Sequence, residues 1–475
     1  MSSDLWLAPV APYQVQEEAL RRSADRPRWG HFLEQGLGKT LLTLAEFLHM
    51  RSQQRVNVGV VVCPNSLKLT WVEEAERVGI TAHAWPNKIN ERGQIQIINY
   101  EATITPRGSE WLKQLVRDYH VMLVLDESAQ IKNPRARRTR LLHQIGPQCR
   151  VRRLLSGAPM VQGPHDLWAQ LKFLDAIPYN FFVFRSKFCK MGGWQGKQVV
   201  GVNDEAGLRA LLAQFSWRAR KSDWTDLPEK QYATREIEMV PEQRDMYREM
   251  LKDFVLLLCP HTPKVIDGEQ PREGHYHPPD QCPEPNEIRA EIVITQMLKL
   301  QQISSGFVID AEGRARRIPG ADGKAHVTRE IIEESEGKVM VVTLYKHSTA
   351  FLLEYLAEFN PARIHGDMTA TVLQAEKARF NSDPACRVIV VQVQAGRYGH
   401  TLLGTKEARC ATCVFYENSY SLDARIQTED RIHRFGQDRS VLYVDLTSSK
   451  VDREVIRALQ SKKDIAAAII DGIRG

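Results

Sequence analysis

The sequence predicts an α/β protein built from two parallel-sheet lobes with a helical insertion between them. Three observations predict it. Short apolar runs rich in Val, Ile and Leu recur in both halves, helical patterns separate them, and the alternation lapses after about residue 230 before resuming near residue 338. An unalternated apolar run ending in small or polar residues suits a strand covered on both faces, and parallel neighbours need helical crossovers.

Taken in order, VNVGVVVCP (56–64), IQIINY (95–100), YHVMLVLDE (119–127) and VRRLLSGAP (151–159) read as strands. Between them, TLLTLAEFLHMRS (40–52) and LKLTWVEEAERV (67–78) read as helices. Residues 241–258 read as a helix, followed by a Pro-rich polar loop over 259–287 inserted in a helical protrusion. A second helix is expected over IRAEIVITQMLKLQQIS (288–304) and a short hairpin around FVIDAEGRARRIPG (307–320). The βα pattern resumes with KVMVVTL (338–344), RVIVVQV (387–393), ATCVFYE (411–417) and SVLYVDL (440–446). The expected division is a first lobe over 1–232, a junction and protrusion over 233–335, and a second lobe over 336–475. No short fixed period is visible, which excludes a solenoid.

Composition narrows the class without choosing a function. The 475 residues are 43% hydrophobic and 26% charged, a balance ordinary for globular proteins and sufficient for more than one core. No run of about 18 apolar residues occurs, so a membrane span is not expected. MSSDLWLAPVAPYQ shows no charged leader before an apolar stretch, so no secretory signal is expected. Eight scattered cysteines suit reduced thiols in a cytosol. A net charge of +6 is too mild to establish nucleic-acid binding, yet it is compatible with a local basic groove.

Three segments carry chemistry. FLEQGLGKT (32–40) follows an apolar segment and opens a helix, as a phosphate loop does. Gly36 and Gly38 let backbone N–H groups close on phosphates, Lys39 is expected to reach the terminal phosphates of ATP, and the Thr40 hydroxyl to bind Mg²⁺. The loop lacks the first glycine of the general pattern, since position 33 is Leu. In VMLVLDESAQIKNP (121–134) a buried strand delivers Asp126 and Glu127 at its C-terminal end. Asp126 is expected to hold Mg²⁺ and Glu127 to accept a proton from the attacking water. In ARIQTEDRIHRFGQ (424–437), Arg431 and Arg434 are spaced to share a helix face and to act as arginine fingers; a solvated basic helix is the plain alternative.

In order along the chain, these segments resemble the Swi/Snf family of superfamily 2 helicase-like ATPases. APYQVQEEA (11–19) is similar to its Q motif, which implies Gln14 as adenine reader. EQGLGKT is similar to motif I, VVCPNSLKLTWVEEAE (61–76) to motif Ia, including Trp71 and Glu74, and IINYEA (97–102) to motif Ib. DESAQIKN (126–133) resembles motif II, LLSGAPMVQGPHDLW (154–168) motif III, and WRARKSDWTDLPEK (217–230) the junction that closes the first lobe. VMVVTLYKH (339–347) resembles motif IV, RIHGDMT (363–369) the next strand end, VVQVQAGRYGHTL (390–402) motif V, and ENSYSLDARIQTEDRIHRFGQ (417–437) motif VI. The last implies a nucleotide-facing role for Gln437. Ala129 stands where the family has His, Ala158 removes a motif III hydroxyl, and the arginine usual after RIHGDMT is missing from TATVLQAEKARF, all of which points to coupling weaker than typical, with the hydrolytic groups Lys39, Asp126, Glu127, Arg431 and Arg434 intact.

The resemblance implies two RecA-like lobes, ATP and Mg²⁺ as cofactors, and sequence-independent backbone binding of double-stranded DNA between motifs Ia, Ib, IV and V. It implies ATP-dependent translocation without strand separation by a minimal phage or bacterial motor, monomeric and free of membranes. The expected setting is a prokaryotic or phage-infected cytoplasm, or a nucleus if the source is eukaryotic. A DNA-bound protein such as RNA polymerase or a recombination factor is the expected further partner. The rivals are a strand-separating or RNA-directed helicase, and a nucleotide-gated scaffold with little turnover. Among weaker signals, Cys410 and Cys413 read as core cysteines. Cys259, His261, His275, His277 and Cys282 match no zinc module, so a floppy insertion is preferred to zinc. The run Arg135, Arg137, Arg138 and Arg140 is a DNA-contact candidate, and Arg314, Arg316 and Arg317 read as a solvated face.

Overall fold

Each half of the chain builds its own parallel sheet from the apolar runs. A computed structural model describes all residues except 1–4, 87–93, 193–197, 259–289, 311, 395–400, 435 and 471–475. In the first half the strands are β1 (Arg28–Leu33), β2 (Val58–Cys63), β3 (Ala82–Ala84), β4 (Ile95–Asn99), β5 (Val121–Asp126), β6 (Val151–Leu155), β7 (Cys189–Gly192), β8 (Gln198–Val202) and β9 (Ser216–Ala219). The first sheet has the order β3-β4-β2-β5-β6-β1-β9, with every pairing parallel. Successive residues of one strand feed opposite faces. Val60, Val62, Leu123 and Leu125 enter one core, while Val61, Met122 and Val124 enter another with Phe47 and Trp71. The antiparallel hairpin β7–β8 stands apart from the sheet and was not legible in the sequence.

The second half contributes β10 (Lys230–Glu236), β11 (Phe307–Ile309), β12 (Ala315–Arg317), β13 (Lys338–Thr343), β14 (Ala362–Ile364), β15 (Val388–Gln392), β16 (Cys410–Phe415) and β17 (Val441–Thr447). The order β10-β17-β16-β13-β15-β14 is again wholly parallel. The fold class expected from the sequence is therefore the one observed: two RecA-like parallel-sheet lobes.

The expected boundary at 232/233 falls inside β10, which pairs with β17 from Lys230↔Val441 to Glu236↔Thr447. KQYATRE is an edge strand with most side chains exposed, so it carries no apolar signature. The helix Gly323–Glu334 likewise belongs with the second lobe, since Ala325, Ile331 and Ile332 pack with Val339 and Val341. The protrusion keeps the helices Pro241–Leu258 and Ala290–Ser304 and the hairpin β11–β12. The Pro-rich loop and its Cys/His set lie outside the described residues. Cys410 and Cys413 are fully buried, and no cluster able to hold a metal occurs among the described residues. No described helix is long and apolar enough to cross a membrane.

A last helix, Lys450–Ile470, returns toward the first lobe. Its Val455 and Leu459 meet Val161 of the first lobe and Leu422 of the second, with Ala129, Tyr420 and Ile426 packed around them. The two lobes thus share an apolar seam.

Candidate active site

Strands β5, β6 and β1 are neighbours, so the loops leaving their C-terminal ends converge. Open α/β sheets place ligands at these ends. After β1 the chain turns through Gly36 (φ +89°) and Gly38 (φ +72°), left-handed conformations that favour glycine, into the helix Lys39–Ser52. Lys39 Nζ donates to the carbonyls of Leu33 at 3.0 Å and Glu34 at 3.4 Å, folding back over its own loop. Thr40 is half-buried in the first turn of that helix.

β5 ends at Asp126, and Glu127 takes a left-handed backbone (φ 52°, ψ 56°), costly for a residue with a Cβ. The two carboxylates therefore leave the strand side by side with different surroundings. Asp126 is buried and accepts from Trp71 Nε1 at 2.9 Å and from the Glu127 N–H at 3.0 Å. Burial raises the proton affinity of Asp126, against the Trp71 hydrogen bond and the charge of Lys39. Burial also pushes Glu127 up, to about 8. Lys39 opposes this, while Asp126 and the second-lobe residues Asp423 and Asp430 reinforce it. A carboxyl poised near neutrality suits a general base.

The third loop, after β6, is Ser156-Gly157-Ala158-Pro159. Ser156 Oγ accepts from the Ala158 N–H at 3.1 Å, a turn made without the missing hydroxyl. Gln170 ties this loop to Glu127's neighbour: Ser128 Oγ donates to its Oε1 at 2.7 Å, and its Nε2 donates to Pro159 O at 2.6 Å. Arg218 binds the carbonyls of Phe32 and Gly157 at 3.1 and 2.8 Å and pairs with Glu34 at 3.0 Å.

The second lobe closes on this surface. Lys221 Nζ pairs with Asp430 at 2.8 Å and donates to His433 O at 2.8 Å, while Lys230 pairs with Glu429 at 3.0 Å. Burial alone would raise the Asp430 carboxyl, but Lys221 and Lys230 pull it down to about 2. These pairs wall one side of an interlobe cavity of about 570 Å³ that also touches Glu34 and Ala158.

The shared helix face expected of Arg431 and Arg434 is not observed. The helix Leu422–Glu429 ends before them, and the chain continues in tight turns. Asp430 is held by Lys221, and His433 Nε2 lies 2.8 Å from Pro228 O, so the segment is drawn off the helical path. Arg434 nevertheless lies against the phosphate loop. A Cβ placed on Gly36 would lie 3.9 Å from Arg434 Cβ and 3.6 Å from Lys221 Cε. Arg431 is 2% exposed, and its Nε and Nη1 have no hydrogen-bond partner among the described residues. Burial, then the neighbouring charge of Arg434, lowers Arg431 to about 9, and burial also lowers Arg434. Buried donors of a cation without acceptors are expensive, which fits a cleft built to receive a polyphosphate. Hard oxygen donors from Thr40 and Asp126 likewise suit Mg²⁺.

Gln14 and Gln437 are the two further residues expected from the sequence to face the nucleotide. Gln14 is exposed at the start of its helix, whereas Gln16 is fully buried, accepting from the Tyr13 N–H at 2.8 Å and donating to Gly38 O at 2.9 Å. Its position three residues into the helix, beside the N-cap, was the available signal. Gln437 Nε2 is spent on the carbonyls of Cys410 and Ile432, at 2.9 and 3.0 Å. Motif V is described only outside 395–400. Of the basic run, Arg138 lies 3.9 Å from Glu101 and over the Tyr100 ring at 5.9 Å, beside motif Ib, while Arg135, Arg137 and Arg140 are exposed. Arg314 and Arg316 pair with Asp310, and Arg317 covers the Phe351 ring.

Residues 32–262 match the SNF2-related domain, and residues 323–436 match the helicase conserved C-terminal domain. The chromatin-remodeling complex subunit snf22 of Schizosaccharomyces pombe is 23% identical, over 92% of this chain and 26% of its own length. The TATA-binding protein-associated factor mot1 of Aspergillus fumigatus is 24% identical, over 92% and 25%. The human lymphoid-specific helicase is 22% identical, over 92% and 60%. The chain thus spans about a quarter of the length of the first two. The solved SWI2/SNF2 ATPase core of Sulfolobus solfataricus in complex with dsDNA is also similar. It has 21% identity and a TM-score of 0.43 over 98% of this chain and 94% of that one.

Proposed function

The chain belongs to the SNF2-related family of helicase-like ATPases, and on that premise we propose that it hydrolyses ATP in a DNA-dependent way and moves along double-stranded DNA without parting the strands. One observation carries the ATPase reading: Arg434 of the second lobe lies against Gly36 of the phosphate loop, and Asp423 and Asp430 of the second lobe act on the charge of Glu127. Glu127 takes the proton of the attacking water, Lys39 faces the terminal phosphates, and the two arginines answer charge that develops in transfer. Thr40 and Asp126 would hold Mg²⁺, which when bound neutralises phosphate charge. Because the arginines and the acids lie on different lobes, each turnover makes and breaks an interlobe contact.

Support for the polymer is separate. On the first lobe, Asn65, Ser66 and Thr70 at the helix start after β2 are exposed and polar, and Arg135, Arg137 and Arg140, flanking Arg138 beside motif Ib, are exposed and cationic. Contacts of that kind grip phosphates and carry no base information. The names of the remodelling and TATA-binding-protein-associated relatives make a DNA-bound protein the fitting cargo.

The test is a comparison of polymers. Duplex DNA should stimulate ATP hydrolysis far more than single strands of equal nucleotide content, and less as salt rises. A triplex-forming third strand should be stripped in an ATP-dependent way while a forked duplex stays paired. Efficient fork unwinding, or stimulation by RNA alone, would assign the chain to strand-separating or RNA-directed helicases. Absence of turnover under every condition would make it a nucleotide-gated scaffold.

A further inference from the structure

We infer that Trp71, assisted by Tyr100, is a positioning residue that fixes the carboxylate of Asp126 in its metal-facing orientation. Trp71 and Tyr100 are each 1% exposed. The indole N–H donates to Asp126 Oδ2 at 2.9 Å, and the Glu127 N–H donates to Oδ1 at 3.0 Å. The Tyr100 hydroxyl donates to the Asp126 carbonyl oxygen at 2.8 Å. Both carboxylate oxygens and the peptide oxygen are thus engaged by donors on the protein side. Rotation of the carboxylate would strand a buried indole N–H, a group that finds a partner when buried. Each carboxylate oxygen keeps further acceptor capacity for a hydrated cation.

The three residues leave the C-terminal ends of neighbouring strands: Trp71 follows β2, Tyr100 follows β4, and Asp126 closes β5. Trp71 lies on the helix Lys68–Arg77, which exposes Thr70 and continues the turn that exposes Asn65 and Ser66. One short helix therefore presents small polar groups outward and holds the carboxylate inward. Outer partners of this kind commonly tune metal affinity by about 10–100-fold.

The inference rests on Asp126 as the Mg²⁺ carboxylate and does not depend on duplex tracking. Its test measures binding of a fluorescent, non-hydrolysable ATP analogue by anisotropy, without DNA, as Mg²⁺ is titrated. Trp71→Phe should raise the half-maximal Mg²⁺ concentration about tenfold. Its affinity for the analogue in EDTA should stay within about twofold of wild type. Tyr100→Phe, which removes one oxygen, should shift the midpoint the same way by a smaller factor, and it decides the matter if Trp71→Phe does not fold. Unshifted midpoints in the folded variants, or equal losses with and without Mg²⁺, overturn the inference. Wild-type binding with no Mg²⁺ dependence would instead refute the reading of Asp126 itself.

Discussion

Glu127 sits on a strained backbone among Asp126, Asp423 and Asp430, with Lys39 as the opposing charge, and this makes its protonation responsive to what enters the cleft. Glu127→Gln should keep ATP affinity within a few-fold and lower turnover by roughly a hundred- to ten-thousand-fold. Hydrolysis at the wild-type rate would show that another group takes the proton. Lys39→Ala should lose nucleotide binding altogether, read by the same anisotropy assay. Asp430 supplies a stability prediction. Its folded value of about 2 lies below the ordinary carboxylate value, so its pairing stabilises the fold above about pH 4, and that stability is lost as pH falls toward 2. The shift is worth about 2 kcal/mol. Asp430→Asn should therefore narrow the difference in denaturant midpoint between pH 6 and pH 3, and an unchanged difference would reject the pairing. At this scale the places of Lys39 at a helix start and of Asp126 and Glu127 at a strand end were legible, because residue type and element end coincide there. Gln16 was not, because its role is a hydrogen bond to a carbonyl 22 positions away.

Buried strands were the most legible elements, since β2, β5, β13 and β15 are buried along their whole length and mostly apolar. Edge strand β10 escaped because its residues mostly face solvent, and with it went the position of the lobe boundary. The segment after Glu429 was misread for another reason: its three-residue arginine spacing is equally compatible with a helix and with the observed turns, and tertiary contacts of Asp430 and His433 choose the turns. Those turns carry Arg431 and Arg434 as a unit. Arg434→Ala should lower kcat about a thousandfold or more with ATP affinity within a few-fold, and Arg431→Ala should behave alike. Matching losses in affinity and rate would identify ordinary ground-state contacts instead.

The whole molecule is two sheets joined by the charge pair of Lys221 with Asp430 and by the patch of Ala129, Val161, Leu422, Ile426, Val455 and Leu459. Ala129 and Ala158, expected from the sequence to weaken coupling, lie respectively against the apolar patch and on the interlobe cavity. A junction of that kind has a thermal signature. If nucleotide draws the lobes together over this patch, calorimetry across a range of temperatures should give a negative heat-capacity change on binding. Val455→Ser should make that change smaller, and a binding enthalpy independent of temperature would show that the patch is already sealed in the free protein. The same physics predicts that the two lobes lose their grip on each other on cooling faster than across an ion-paired hinge, because the water released from apolar surface contributes less as temperature falls.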